Sequence, residues 1–135
     1  GFPKDINLFQ ATKSLENAIH AIKKGGSIVL VAECTEGIGD KVYERWNREC
    51  KTPDEAIQKF RKCFEFGGHK AATVGRDAKD FKLYLVSKLP ETESRNAFFI
   101  PVISVEEAFE KILSENPDAK IHIMPNGGWT LPVKR

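Results

Sequence analysis

The chain has 135 residues, of which 41% are hydrophobic and 30% charged. That is enough for one compact domain, too little for two, and too apolar for a disordered tail. No apolar run approaches the roughly 18 residues that cross a bilayer, and the short polar opening Gly1–Asp5 does not read as a signal peptide. Lys plus Arg number 21 against 19 Asp plus Glu, a net charge of +2. That balance lacks the basic excess of a general nucleic-acid binder, so neither nucleic acid nor membrane is an expected partner.

In chain order, Asn7 followed by Gln10 reads as a capping box. Leu8, Ala11, Leu15, Ala18, Ile19 and Ile22 then recur at steps of three and four, the stripe of an amphipathic helix. Gly25-Gly26 stops it. Ser27–Ala32 is almost wholly apolar and reads as a strand buried on both faces. A loop from Glu33 to Gly39 leads to a helical stretch from Asp40 to Glu49. Thr52-Pro53-Asp54-Glu55 is a strong helix start, with Thr as cap, Pro in the first turn and Glu reaching back. Ile57, Phe60, Cys63 and Phe64 are the expected buried face of that helix.

Gly67-Gly68 interrupts, and His69 to Lys79 is helical again. Leu83–Val86 is the second expected strand. Phe98–Val102 is a third, weakened by Pro101. Ser104 with Glu107 opens another helix, carrying Val105, Ala108, Phe109, Ile112 and Leu113. Asn116-Pro117-Asp118 breaks it, and Ile121–Met124 is expected as the last strand.

Strands separated by helices imply parallel pairing with right-handed crossovers. The expected fold is therefore α/β: an open, mostly parallel, Rossmann-like sheet of four or five strands with helices on both faces. Residues 1–135 form a single domain. Because a turn and a helix precede the first strand, either the sheet starts at Ser27 or the sequence was cut just after a strand, and we expect a piece of a larger protein.

Cys34, Cys50 and Cys63 are an odd set without a C-x-x-C pair, and read as reduced thiols of a cytoplasmic protein. His20, His69 and His122 show no metal-ligand spacing. The chain therefore carries no complete catalytic set, and no metal-binding or catalytic residue is assigned. Ligands of open α/β sheets gather outside the carboxyl ends of the strands. Gly37-Ile38-Gly39 resembles the start of a dinucleotide fingerprint, but Val42 stands where the third glycine belongs, so a tight turn is the simpler reading.

Gln10 and Lys13 lie three apart and share a helix face. They are a solvated cap and cation, or else a pair that holds a carboxylate. Gly67-Gly68-His69-Lys70 is either an anion site of backbone amides plus Lys70, or a helix–helix corner.

Gly1-Phe2-Pro3-Lys4-Asp5-Ile6-Asn7-Leu8-Phe9-Gln10 resembles the G-[YF]-P-x-D-x-x-x-[YF]-Q segment of the nickel-dependent lactate racemase family. Val31–Cys34 with Glu36–Gly39, Gly67–Ala71, and Met124-Pro125 with Gly127-Gly128 extend the resemblance in order along the chain. It covers only the carboxyl-terminal domain of that family.

The resemblance implies a 2-hydroxy acid racemase or epimerase, which takes hydride from the α-carbon and returns it to either face. A nickel pincer nucleotide would be held mainly by an amino-terminal catalytic domain, the expected partner, and not by this chain alone. By itself the chain would be inactive. The resemblance casts Gln10 and Lys13 as a polar pair toward the substrate, with Phe9, His69 and Lys70 beside them. Phe9 falls where lactate racemases often carry tyrosine, which puts lactate itself in question. The alternative reading is a non-catalytic α/β module that binds a small anion or a protein partner.

Overall fold

The computed structural model describes residues 1–133. Its sheet is built from β1 (Ser27–Val31), β2 (Lys82–Val86) and β3 (Ile100–Val102), all parallel and in the order β1-β2-β3. Val29 sits opposite Tyr84, and Leu85 opposite Pro101. Pro101 is accommodated because β3 is an edge strand, where a missing N–H breaks no outer ladder. Pairing continues past the strands: the Ala32 N–H donates to Val86 O at 3.0 Å and the Lys88 N–H to Glu33 O at 2.9 Å.

Alternation along β1 and β2 sends residues to opposite faces. Ile28, Leu30, Leu83 and Leu85 join the main core, which also holds Leu8, Leu15, Tyr43, Trp46 and Val74. Five helices supply or flank that side: α1 (Leu8–Ala18), α2 (Lys41–Glu49), α3 (Pro53–Lys62), α4 (Gly68–Asp80) and α5 (Glu91–Asn96). Tyr84 and Val102 turn the other way and pack with Ala108 of α6 (Val105–Glu115), so helices cover both faces. Short 3-10 turns follow α1 at Ile19–Ala21 and close the fold at Gly127–Trp129. Among the described residues, no helix is long and apolar enough to cross a membrane.

The expected sheet of four or five strands is corrected to three strands among the described residues. Ile121–Met124 alternates like a strand but finds no ladder partner, and Ile121 and Ile123 are left 47% and 80% exposed. Periodicity records a preference for extended backbone; a strand also needs a neighbour to take its N–H and C=O groups.

The α3 face is also thinner than expected. Ala56 is its buried residue, while Cys63 turns to extended backbone just past the helix and Phe64 is 71% exposed. The capping boxes hold only in part. Thr52 and Ser104 accept from Glu55 N and Glu107 N at 3.2 Å each, but the glutamates reach back one residue further, to Lys51 N and Ile103 N at 2.7 Å.

Candidate functional site

The start of α1 is set by the loop that follows β1. Cys34 N–H donates to Asp5 O at 2.8 Å and Glu36 N–H to Ile6 O at 2.9 Å, fastening the opening segment to that loop. In return the loop carbonyls Gly37 O and Ile38 O accept from Leu8 N at 3.0 Å and Phe9 N at 2.9 Å. Asn7 Oδ1 accepts from Gln10 N at 3.0 Å and Asn7 O from Ala11 N at 3.1 Å. The three first-turn amides that lack an intrahelical acceptor, Leu8 to Gln10, are thus all used, and the Ala11 N–H opens the helical ladder. Gly39 (φ +84°) is required here, because a Cβ on it would lie 2.1 Å from the Asn7 side chain. The Gly37–Gly39 resemblance to a dinucleotide loop is therefore a turn that caps a helix with carbonyls. It offers no cradle of amides to phosphate.

Fixing α1 places Phe9, Lys13 and Glu16 on one face, with Gln10 beside them. Gln10 does not complete a capping box. Its Oε1 accepts from Lys13 Nζ at 2.8 Å instead, which leaves the amide NH2 pointing away from that bond. Among the described residues Lys13 has no acidic partner.

The second wall comes from the start of α4. Gly67 turns the chain with φ +91°, and Gly68 lies so close to Trp46 that a Cβ would come within 2.4 Å of the indole. Trp46 Nε1 donates to Glu65 Oε2 at 2.8 Å, and Arg45 pairs with the same carboxylate. These contacts fasten residues 65–68 to α2. They also leave Phe66 68% exposed beside His69, ring centroids 5.3 Å apart. Phe9 meets Phe66 at 6.4 Å and His69 edge-on at 6.3 Å.

His69 Nδ1 accepts from Gly67 N at 3.1 Å, so the ring proton sits on Nε2. Burial first, and then the adjacent Lys70 ammonium, hold its pKa below the usual histidine range. Lys70 is buried; its ammonium pairs with Glu16 and lies 5.5 Å from the Phe9 ring centroid.

The structure thus gathers Phe9, Gln10, Lys13, His69 and Lys70 on adjoining turns of α1 and α4. Lys70 stands apart in one respect: its charge is taken up by Glu16 beneath the ring, so Lys13 is the open ammonium of this face. The corner reading of Gly67–Lys70 fits better than an anion site of free amides. Glu16 and Phe66 complete the cluster; from sequence Phe66 is unmarked and Glu16, four residues before His20, reads only as that residue's surface partner, whereas it pairs with Lys70. Glu16 sits at the i+7 step from Phe9 on the same face, which was a usable signal; a phenylalanine ahead of two glycines carried none. At the opposite edge Asn17 Nδ2 donates to Gly127 O at 2.8 Å, and Lys4 Nζ lies 4.4 Å from the exposed Trp129 ring.

A depression of about 310 Å³ lies at the carboxyl ends of β1 and β2, between Asp5, Ala32, Glu33, Ser87 and Lys88. It matches the usual strand-end location. Yet its one ammonium, on Lys88, is paired with Glu33, and none of the five residues above lines it. Among the described residues no group of three or more His, Cys, Asp or Glu side chains gathers to hold a metal. Chemically, then, this is a three-stranded parallel α/β domain whose α1–α4 face offers one open cation, one amide and an aromatic wall.

The family model of the lactate racemase C-terminal domain matches residues 1–130, and the chain belongs to that family. It is similar to the lactate racemase of Thermoanaerobacterium thermosaccharolyticum, 29% identical over 133 residues; the match takes in 94% of this chain and 31% of that protein. The chain therefore spans about a third of the length of that curated relative. The solved lactate racemase apoprotein from the same organism superposes with a TM-score of 0.89 at 28% identity, over 100% of this chain and 34% of that one.

Proposed function

We propose that this domain is the substrate-facing wall of a 2-hydroxy acid racemase or epimerase of the lactate racemase type. Its partner would be an amino-terminal catalytic domain of the same protein. The observation that carries the reading is the Lys13–Gln10 pair: an ammonium held at 2.8 Å by a neutral amide and lacking any acidic partner among the described residues. An ammonium with no carboxylate partner among the described residues is poised for one from outside.

In this reading Lys13 neutralises the carboxylate of the acid, and the Gln10 NH2 donates to one of its oxygens or to the 2-hydroxyl. Phe9 and His69 shape the surface beside it. Lys70 acts from beneath, holding Phe9 through the ring and α1 through Glu16. The nickel pincer nucleotide implied by the family would supply the hydride acceptor. The described side chains do not fit a nickel site, since no ligand cluster forms among them. In this reading the cofactor is held mainly by the amino-terminal domain, and this chain grips and orients the acid.

The test is Lys13→Ala in the full-length protein, with racemisation followed by chiral chromatography. A charge-assisted bond to a carboxylate contributes about 1.5–3 kcal/mol, so kcat/KM should fall roughly 10- to 150-fold. Lys13→Arg should restore part of the loss. Unchanged kinetics would remove Lys13 from the site. Loss of fold rather than function is not expected, because among the described residues Lys13 has no polar partner beyond Gln10.

A further inference from the structure

The α1–α4 face sets charge and apolar surface apart, and that separation bears on which acid it accepts. We propose that it selects monocarboxylic 2-hydroxy acids with an apolar, planar α-substituent, preferring an aryl-bearing acid to methyl, dicarboxylic or polyhydroxy members of the class. The inference rests on the carboxylate-gripping role of Lys13 given above and names the other end of the same ligand.

The first observation is where the cations are. A dicarboxylic acid needs a second positive partner, and among the described residues none is open on the side of Phe9. The Lys70 ammonium is buried against Glu16 and the Phe9 ring. His69 takes the Gly67 N–H on Nδ1, which keeps it in the neutral form. The charges that do reach His69 from its surroundings besides Lys70 are the carboxylates Glu16 and Asp40. A second carboxylate placed there finds no uncompensated cation, because the nearest ammonium, Lys70, is already paired with Glu16. Lys4 lies at the far edge of α1, over Trp129.

The second observation is the wall itself. Phe66 keeps 68% of its surface open while in contact with Phe9 and His69. Leaving a phenylalanine in water is unfavourable, and this one is not loose. The Glu65–Trp46 hydrogen bond at 2.8 Å lies on one side of it, and the Gly67 turn, with Gly68 packed on the same indole, on the other. The result is a pre-set cluster of ring edges and faces with centroids 5.3–6.4 Å apart, the spacing at which a further ring packs in offset or edge-on geometry. A polyhydroxy chain laid on it would lose water without gaining hydrogen bonds, apart from the His69 Nε2–H.

The experiment uses the full-length protein loaded with its cofactor and compares kcat/KM for lactate, phenyllactate, malate and gluconate. Binding of the same acids by calorimetry gives a readout independent of turnover. Phenyllactate should lead the other three by roughly tenfold or more, the range in which added apolar contact discriminates. Phe66→Ala should lower the phenyllactate-to-lactate ratio by a similar factor; because Phe66 is exposed, the variant should fold. Preference for lactate, malate or gluconate, or an equal loss for all acids in Phe66→Ala, would overturn this inference alone and leave the racemase reading standing. Failure to bind or racemise any of the four would remove both.

Discussion

The Lys70–Glu16 pair makes an asymmetric prediction. Lys70 has a side chain only 8% exposed, whereas Glu16 is 42% exposed. Removing either partner breaks the same ion pair, but the group left behind differs. In Glu16→Ala the ammonium stays buried, with the Phe9 ring at 5.5 Å as its remaining neighbour. A cation–π contact returns about 0.5–2 kcal/mol, less than the 3–5 kcal/mol typical of stranding a buried charge. The net cost should be about 2–4 kcal/mol. In Lys70→Met the apolar stem is kept against Phe9, and the orphaned carboxylate of Glu16 can hydrate. That variant should lose only about 0–1.5 kcal/mol. Equilibrium urea unfolding with unchanged m-values is the assay. A Lys70→Met loss equal to or larger than that of Glu16→Ala would refute the assignment of Lys70 as a buried strut, and would return it to the set of open cations on this face.

Other consequences follow from the same geometry. Gly68→Ala places a methyl 2.4 Å from the Trp46 indole; the ring is fully buried and cannot yield, so thermal unfolding should show a loss of about 1–3 kcal/mol. A Tm equal to the parent's would mean that α2 and α4 have room between them. Cys63 is exposed, whereas Cys34 and Cys50 are buried. Burial pushes the Cys34 thiol up to about 11, so a thiol reagent at about pH 8 should label one cysteine quickly and the other two only on unfolding. Fast labelling of Cys34 would contradict the packing of the β1 loop. Burial and Lys70 hold the His69 pKa below its ordinary 6.5. The unfolded chain therefore takes up this proton first as pH falls, so the stability present above about pH 6.5 is lost as pH drops through the folded value. Between about pH 7.5 and pH 5, the parent should lose Tm faster than His69→Phe, and parallel profiles would sink the reading.

Much of the fold is legible because its strands and helices are locally consistent. Ser27–Val31 and Leu83–Val86 are largely apolar, and helices pack on both faces of their sheet, although Val31 is left 58% exposed at the end of β1. What the sequence does not show is what depends on a neighbour. Ile121–Met124 has strand periodicity and no ladder, while α5 (Glu91–Asn96), a short helix of charged and polar residues, has little periodicity and forms anyway, its first turn capped by Pro90 O accepting from Glu93 N and Ser94 N. The same division runs through the site. Gln10 and Lys13 are visible from spacing on one helix, as is the Phe9 position from the motif. The burial of Lys70 is not visible, because it depends on Glu16, 54 residues away in the chain. Nor is the exposure of Phe66, which follows from a hydrogen bond between Glu65 and Trp46.

That division explains why the candidate site lies on side chains at the start of α1. A helix N-terminus ordinarily attracts anions through its open amides and its dipole. Here Gly37 O, Ile38 O and both oxygens of Asn7 occupy the amides from Leu8 to Ala11. An acid approaching α1 finds no free backbone donor at its first turn, so under the proposed function recognition would fall to the side chains of Gln10 and Lys13. The arrangement has a testable corollary. Asn7→Ala removes the acceptor that holds Gln10 N, and with it about 1 kcal/mol of cap, but frees one amide to compete for the anion. If side chains alone grip the acid, this variant should lower stability and raise KM through a displaced Gln10. A lowered KM would instead show that the helix terminus was a latent anion site, suppressed by its own cap.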